Sequence, residues 1–559
     1  MLPIALSGLL TLFALPSFAQ SPEQILAPLK KELGRALREL RYEGYPRPYF
    51  ISLRVNQDAS ADLGFRDGEI VFKNHNEEWN FYPEVRVGNH DFDQTPDSWV
   101  GSSAEWPVSF PSSENLTRHY VWNALDETYK DACRLFYEKK AQRAAEGIPD
   151  YVTDDFSQEK KTASAVALKN KPRDLSWESL ENTYGKTLAE ISKTSSADPK
   201  IYRFLIKFGW RRSSTYILTS EGSEVSYDRD HGEVYLSLYG RSQKGLPLHL
   251  TQTVSVNDSQ DLPDRAALVE TIGLMKKNFS RLYSSPQAQS AMAPCILDPS
   301  ASAELFLAFI SRLEGERQRD PEESQAFRNK INHPVLPDFL TVRDAPLMKK
   351  FGSVKLLGHY LFDEQAVGAQ DVILVDNGIL KNFLLSRRPV KNLLPFSNGH
   401  GRAASGQSPH ARAANVLVES SKTFSGKELR RLLLDEVRRQ NLPFGVIVEG
   451  IETVRQEDKT GSHQTFRAAA RLLTLVYPDG RQELVHNGEI VGTPINLMQS
   501  IAAAGDDAAV HNALVGGPGG KIPTAVIAPS ILISQIEIQK GSARPTRLPI
   551  LKSPLEEKD

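Results

Sequence analysis

Between residues 372 and 385 the sequence leaves the chain little choice. Val372-Ile373-Leu374-Val375 and Ile379-Leu380-Lys381-Asn382-Phe383-Leu384-Leu385 are apolar runs on either side of Asp376-Asn377-Gly378. Asn-Gly accepts the positive φ angles of a tight two-residue turn, so this pattern predicts a β-hairpin. The same logic recurs where Asp67-Gly68 separates Leu63-Gly64-Phe65 from Ile70-Val71-Phe72, and where Pro478-Asp479-Gly480 separates residues 466–477 from 482–485. Further strands are expected at 49–55, 84–87 and 445–451, in the apolar segment 525–538, and at 215–218 and 234–238 around a polar stretch that includes Tyr227 to Gly232. Helical periodicity runs through 22–41, 125–145, 264–283, 298–313 and 425–440, the last opening on a Ser425/Glu428 capping box. Hairpins without regularly alternating helices predict an α+β fold of mixed and antiparallel sheets flanked by helices, not a doubly wound sheet.

A length of 559 residues accommodates two large domains. Residues 284–294 read as a linker, which predicts an N-terminal α+β domain over 20–290, a C-terminal domain over 291–545 and a loose tail over 546–559. Residues 1–19 read as a signal peptide. Leu2 to Phe18 are apolar or small, and Ser17 and Ala19 stand where a signal peptidase needs small side chains, although no Lys or Arg precedes them. Cleavage after Ala19 would place the chain in the periplasm or outside the cell. No later stretch approaches the roughly 18 apolar residues of a membrane helix, so no transmembrane span is expected. With 67 Lys+Arg against 69 Asp+Glu the net charge is −2, and no basic excess exists to meet nucleic acid. Two cysteines, Cys133 and Cys295, are too few for a disulfide framework or a cysteine-rich zinc site, and Cys133 reads as a small buried hydrophobe inside a helix. Residues 153–174 read as a polar, Lys-rich connection. The stretch 312–330, with five basic and five acidic residues, reads as a solvated surface.

The order of motifs then resembles the TldD/PmbA family. It runs through Phe362-Asp363-Glu364 with Gly368 and Gln370, Asp376-Asn377-Gly378, Leu384-Leu385-Ser386-Arg387-Arg388, and Ser397-Asn398-Gly399-His400-Gly401-Arg402. It continues with Ala414-Asn415-Val416-Leu417-Val418, Ser425-Gly426-Lys427-Glu428-Leu429 and Gly445-Val446-Ile447-Val448, while Phe65-Arg66-Asp67-Gly68-Glu69-Ile70 resembles the family's first-domain hairpin. The resemblance implies two kinds of member. TldD-type subunits are metallopeptidases carrying His-Glu-x-x-x-His on a helix and a Cys near the C-terminus as zinc ligands. PmbA-type subunits lack that set and pair with TldD around a cleft that admits extended or unfolded peptide.

Anchored by Leu313-Glu314-Gly315, the metal helix corresponds to residues 304–315, and its ligand positions fall on Phe306 and Ser311 with Leu307 in place of the catalytic Glu. No Cys lies between Ala502 and Gln539. No metal and no cofactor is therefore expected, and Phe306, Phe309 and Ile310 read as a packing face. His400, His410, His463, His486 and His511 lack the paired i, i+4 spacing of a helical metal site. Ser386 and Ser397 lack a nucleophile elbow. Gly516-Gly517-Pro518-Gly519-Gly520 lacks the Lys-Ser/Thr of a phosphate loop and reads as a flexible loop. In the aperiodic polar segment 389–414 and just before it, Arg387, Arg388, Asn398, His400 and Arg402 are the residues that the resemblance would place along a peptide-binding cleft, though the same types also populate solvated loops. The expected function is that of an exported, non-catalytic subunit that binds peptide or unfolded polypeptide and pairs with a TldD-like metal-bearing subunit. Two alternatives stay open: a metallopeptidase with relocated ligands at His400 or His410, and an envelope scaffold homodimer.

Overall fold

The computed structural model describes residues 22–96, 106–108, 113–147, 154–162, 177–195, 198–319, 327–390, 393–453 and 466–546. The expected signal peptide, most of the 153–174 connection and all but the first residue of the 546–559 tail lie outside the described residues. The fold is α+β, with mixed and antiparallel sheets flanked by helices, as the hairpin signals predict.

The N-terminal half is one antiparallel sheet of six strands. In spatial order they are Trp106–Val108, Glu69–Val87, Pro48–Arg66, Ile201–Thr219, Glu224–Arg241 and Pro247–Val256. The short strands read at 49–55 and 84–87 are the ends of a single hairpin that turns on Asp67 (φ 54°) and Gly68 (φ 91°). The polar stretch 227–232 is itself strand. It is polar because Tyr227 and Arg229 point at the C-terminal half, where both donate to Glu364, and not at an apolar core.

These long strands carry two cores. Helices Pro22–Glu39 and Glu114–Glu146 close one end over Leu53, Val55, Phe81, Leu125 and Cys133. Helices Lys186–Ser195 and Arg265–Ser284 close the other over Phe204, Phe208, Leu236, Leu268 and Phe279. Each large side chain so buried contributes roughly 1.5–3 kcal/mol relative to exposure.

The C-terminal half holds a six-stranded sheet and an eight-stranded one. The first runs Ile379–Leu380, Val372–Asp376, Leu340–Asp344, Asn415–Ser420, Ile522–Ala528, Ala509–Val515. In the second, Ile531–Lys540 pairs with both Gly488–Gly492 and Ala291–Leu297, so five strands close into a ring through Gly445–Thr453 and Phe466–Val476. Closure explains two departures from the sequence reading. The expected linker 284–294 ends as strand from Ala291, because neighbours on both sides take its backbone. The apolar segment 525–538 is two strands in different sheets, broken at Pro529-Ser530, where Asp507 accepts from the Ser530 N–H and hydroxyl. Between the sheets lies helix Pro299–Ile310, capped by Asp298, whose Ala301, Leu305, Phe306, Phe309 and Ile310 are fully buried. Among the described residues no helix is long and apolar enough to cross a membrane.

Candidate functional site

The two halves enclose a cleft of about 1060 Å³. Strand Pro247–Val256 and helix Arg265–Ser284 form its N-terminal wall, and helix Pro299–Ile310, strands Gly445–Thr453 and Phe466–Val476 and strand Ala509–Val515 form the other. Pro247–Val256 and Ala509–Val515 are each the outermost strand of a six-stranded sheet, so among the described residues each is paired along one flank only. A strand edge is a row of N–H and C=O groups that an extended chain can join, and here two such edges line one cleft. Arg471 ties its floor together, donating to Ser300 Oγ (3.0 Å) and to Gln252 Oε1 (3.4 Å). Gly450 makes room for it: φ there is +69°, and a Cβ would lie 2.5 Å from Arg471 Nε. Asp298 fixes the start of the helix, accepting from Ala301 N at 2.7 Å and from Gly450 N at 2.9 Å. His511 on the edge strand meets Glu304 on the helix at 3.1 Å.

The same helix carries the positions where zinc ligands would stand, and its residues do not fit a metal. Phe306 is fully buried in the core, Leu307 packs against it, and the Ser311 hydroxyl donates to Ala308 O at 2.9 Å. Cys295 lies in a strand paired on both sides, and burial pushes its thiol well above the ordinary range. Among the described residues no three His, Cys, Asp or Glu side chains converge in a way that could hold a metal ion.

The five residues expected to line a peptide cleft gather elsewhere, none of them on the wall of the large cleft. Arg387 is buried. Its guanidinium reaches Glu221 through two bonds (2.7 and 2.8 Å), donates to Ser157 O, and lies over the rings of Phe156 and Phe50. Asn398 bridges backbone, accepting from Leu385 N and donating to Phe383 O. His400 Nδ1 sits 3.0 Å from Asn398 Oδ1, with Nε2 3.7 Å from Asp344. Arg402 donates to Ala413 O and lies over Tyr360, its other nitrogens without a hydrogen-bond partner among the described residues, and burial lowers its pKa. Only Arg388 keeps exposed surface. Four of the five are thus interior groups and not parts of a solvated loop.

The reading of 312–330 as a solvated surface needs a correction, because Glu314, Glu316, Gln318 and Arg319 are buried. Glu316 Oε2 meets His410 Nδ1 at 2.6 Å, while Oε1 accepts from the Ser386 hydroxyl and from Ala411 N. Burial alone would raise the Glu316 carboxyl; His410, Arg388 and Ser386 override it and hold the group at about 2. Glu314 faces Arg317 and Arg412, each at 3.2 Å. Arg412 in turn donates to the carbonyls of Val515, Gly516 and Pro518, so the glycine-rich segment 516–520 wraps a buried guanidinium. Arg319 meets Asp155 of the N-terminal half at 2.7 Å. Nearby, Asp363 accepts from the N–H groups of Gln365, Val367 and Gly401, and burial outweighs them to push its carboxyl up to about 7.

Residues 290–540 match the family model for the PmbA/TldA metallopeptidase C-terminal domain. This C-terminal region belongs to the TldD/PmbA family. Among curated proteins, a "Metalloprotease" of Methanothermobacter thermautotrophicus is 23% identical over 325 residues, spanning 57% of this chain and 66% of that protein. A "Metalloprotease TldD homolog" of Buchnera aphidicola subsp. Acyrthosiphon pisum is 24% identical over 263 residues, 46% of this chain and 50% of that one. The chain therefore spans between half and two thirds of the length of these relatives. In fold, the chain is similar to a putative modulator of a DNA gyrase from Thermotoga maritima (TM-score 0.63, 14% identity, covering 92% of this chain and 99% of that one). It is similar also to TldE from Thermococcus kodakarensis (TM-score 0.61, 15% identity, 92% and 100%).

Sequence reasoning missed the cleft itself. Thr251, Gln252, His511 and Asn512 are ordinary strand and turn residues, and only the sheet order turns their strands into edges. It also missed Glu316, although the Leu-Glu-Gly ending stood next to it; no local pattern marks a charge that will be buried.

Proposed function

We propose that this chain is an exported, non-hydrolytic TldD/PmbA-family subunit that binds extended or unfolded polypeptide and pairs with a TldD-like metal-bearing partner. The observation that carries the reading is the cleft between two unpaired strand edges, beside a helix with Phe306, Leu307 and Ser311 in the zinc-site positions. A strand edge recognises backbone and not side chains, which suits a protein that takes unfolded chains of varied sequence. Arg388 lies off this cleft, beside the buried Glu316, and Arg387, Asn398, His400 and Arg402 brace the frame around it. The similarity in fold to TldE from Thermococcus kodakarensis supports the pairing, and the "metalloprotease" names of the relatives support a link to proteolysis.

The test is fluorescence anisotropy with a labelled ten-residue disordered peptide and its analogue N-methylated at alternate amides. Saturable binding of the first and loss of binding by the second is the expected result, because N-methylation removes strand donors while keeping side chains. Equal binding of both would sink strand addition. Co-purification at micromolar concentration with a metal-bearing paralogue from the same source tests the pairing, and failure to associate would remove it.

A further inference from the structure

The cleft is charged far beyond its share of the molecule. Its lining holds the carboxylates of Glu233, Glu270, Asp298, Glu304, Glu449 and Glu452 against the cations of Lys277 and Arg471, a formal −4 with His511 neutral, where the whole chain carries only −2. The two cations do little to cancel it. Arg471 is turned to neutral partners, Ser300 and Gln252, and Lys277 makes no ion pair among the described residues. Nor are the carboxylates all occupied. Glu304 and Glu233 face histidines, Asp298 holds two backbone N–H groups, and Glu452 accepts from the Thr251 hydroxyl. Glu270, Glu449 and Glu452 are exposed and make no ion pair among the described residues. Walls of low dielectric focus such a field into the space between them. Leu250, Met275, Ile451 and Leu472 supply apolar surface between the charges.

We infer that the cleft selects cationic segments, so that the polypeptide it takes is rich in Lys and Arg interspersed with apolar residues. This rests on the peptide-binding reading above and adds the chemical class of the peptide. The strand edges hold the backbone of any extended chain; the carboxylates decide which chain is held best. Charge complementarity of this kind sets specificity and association rate more than raw affinity.

The experiment compares three ten-residue peptides on the full chain by anisotropy, identical except that three positions carry Lys, Gln or Glu. At low salt the Lys peptide binds about tenfold or more tighter than the Glu peptide. Raising the salt to about 1 M shortens the screening length to about 3 Å and brings the two within about threefold. The E270Q/E449Q/E452Q variant reduces the Lys-over-Glu preference severalfold, and Glu138→Gln, on the far side of the N-terminal half, leaves it unchanged. Equal low-salt affinity for all three peptides overturns the charge inference and leaves peptide binding standing. A preference undiminished in the triple variant overturns the assignment to these carboxylates. Absence of binding by all three overturns the peptide reading, and this inference with it.

Discussion

Replacing Glu316 with Ala removes the acceptor at the centre of a buried polar cluster, and the cost follows from the groups left behind. His410 Nδ1, the Ser386 hydroxyl and the Ala411 N–H all meet this one carboxylate, and Ser386 and His410 are themselves buried. Water has no ready access to any of the three once the side chain is cut back. An abandoned buried partner costs about 1–3 kcal/mol, more when charged. Breaking a buried pair from one side costs about 3–5 kcal/mol in comparable cases, and that is the destabilisation expected for Glu316→Ala. Glu316→Gln keeps the shape but brings an amide N–H toward either Ala411 N–H or His410, so it costs less, about 1–3 kcal/mol. Removing His410 as well relieves part of the damage, because the pair is coupled: the double variant loses less than the two singles added together.

The pH dependence supplies an independent readout. The folded-state pKa of Glu316 is held at about 2, below the unfolded value near 4.3, so the native state favours the ionised form. Its contribution is complete above about pH 4.3 and is lost as the pH falls toward 2. Equilibrium urea unfolding followed by circular dichroism at pH 7 and through the acid range measures both effects, with the C-terminal transition resolved by pulse proteolysis. The wild-type protein loses stability across the acid limb more steeply than Glu316→Gln does. A loss below about 1 kcal/mol for Glu316→Ala, or superimposable acid limbs, would refute the claim that this charge is buried and paired.

Three further outcomes follow from single contacts. Gly450→Ala puts a methyl group against Arg471 at a positive φ, costs about 1–3 kcal/mol, and weakens peptide binding through the displaced cleft floor, read by thermal unfolding and by anisotropy. Asp298→Ala removes the helix cap and the Gly450 N–H bond together; about 1–2 kcal/mol is expected, with helix 299–310 becoming more open to hydrogen exchange. Cys295 stays unmodified by iodoacetamide in the native protein at pH 8 and reacts on unfolding, since its thiol is buried and its pKa raised; rapid native labelling followed by mass spectrometry would contradict the paired strand around it.

Local signals carried most of the fold. Asp67-Gly68, Asn377-Gly378 and the Ser425/Glu428 box each act through their immediate neighbours, and each was legible in the sequence and stands in the structure. What local pattern could not give is the pairing of strands that are distant in sequence. Residues 291–294 look like the end of a linker because Pro294 and its small neighbours have weak strand propensity, and only the two partners of strand 291–297, residues 445–453 and 531–540, draw them into strand. The cleft was not legible for the same reason: neither Pro247–Val256 nor Ala509–Val515 carries a local hairpin signal of the kind read above, and their being last in their sheets is a property of topology.

The buried charges failed to show for a related reason. A run of five acids and five bases normally stays in water because burying one charge costs several kcal/mol, and that rule misplaces Glu314, Glu316 and Arg319. The rule assumes no partner, and the partners here come from far along the chain: Arg412 and His410 from the polar segment, Asp155 from the other half. The polar segment escapes the rule in turn for the same cause, since Arg412 finds carbonyls at 515, 516 and 518, and Arg387 finds Glu221. Two stretches that each look like solvated surface alone become an interior when they satisfy one another. Three acids of the cleft lack such partners: Glu270, Glu449 and Glu452 are exposed and without a counter-ion among the described residues, which is why their charge is available to a ligand and that of Glu316 is not.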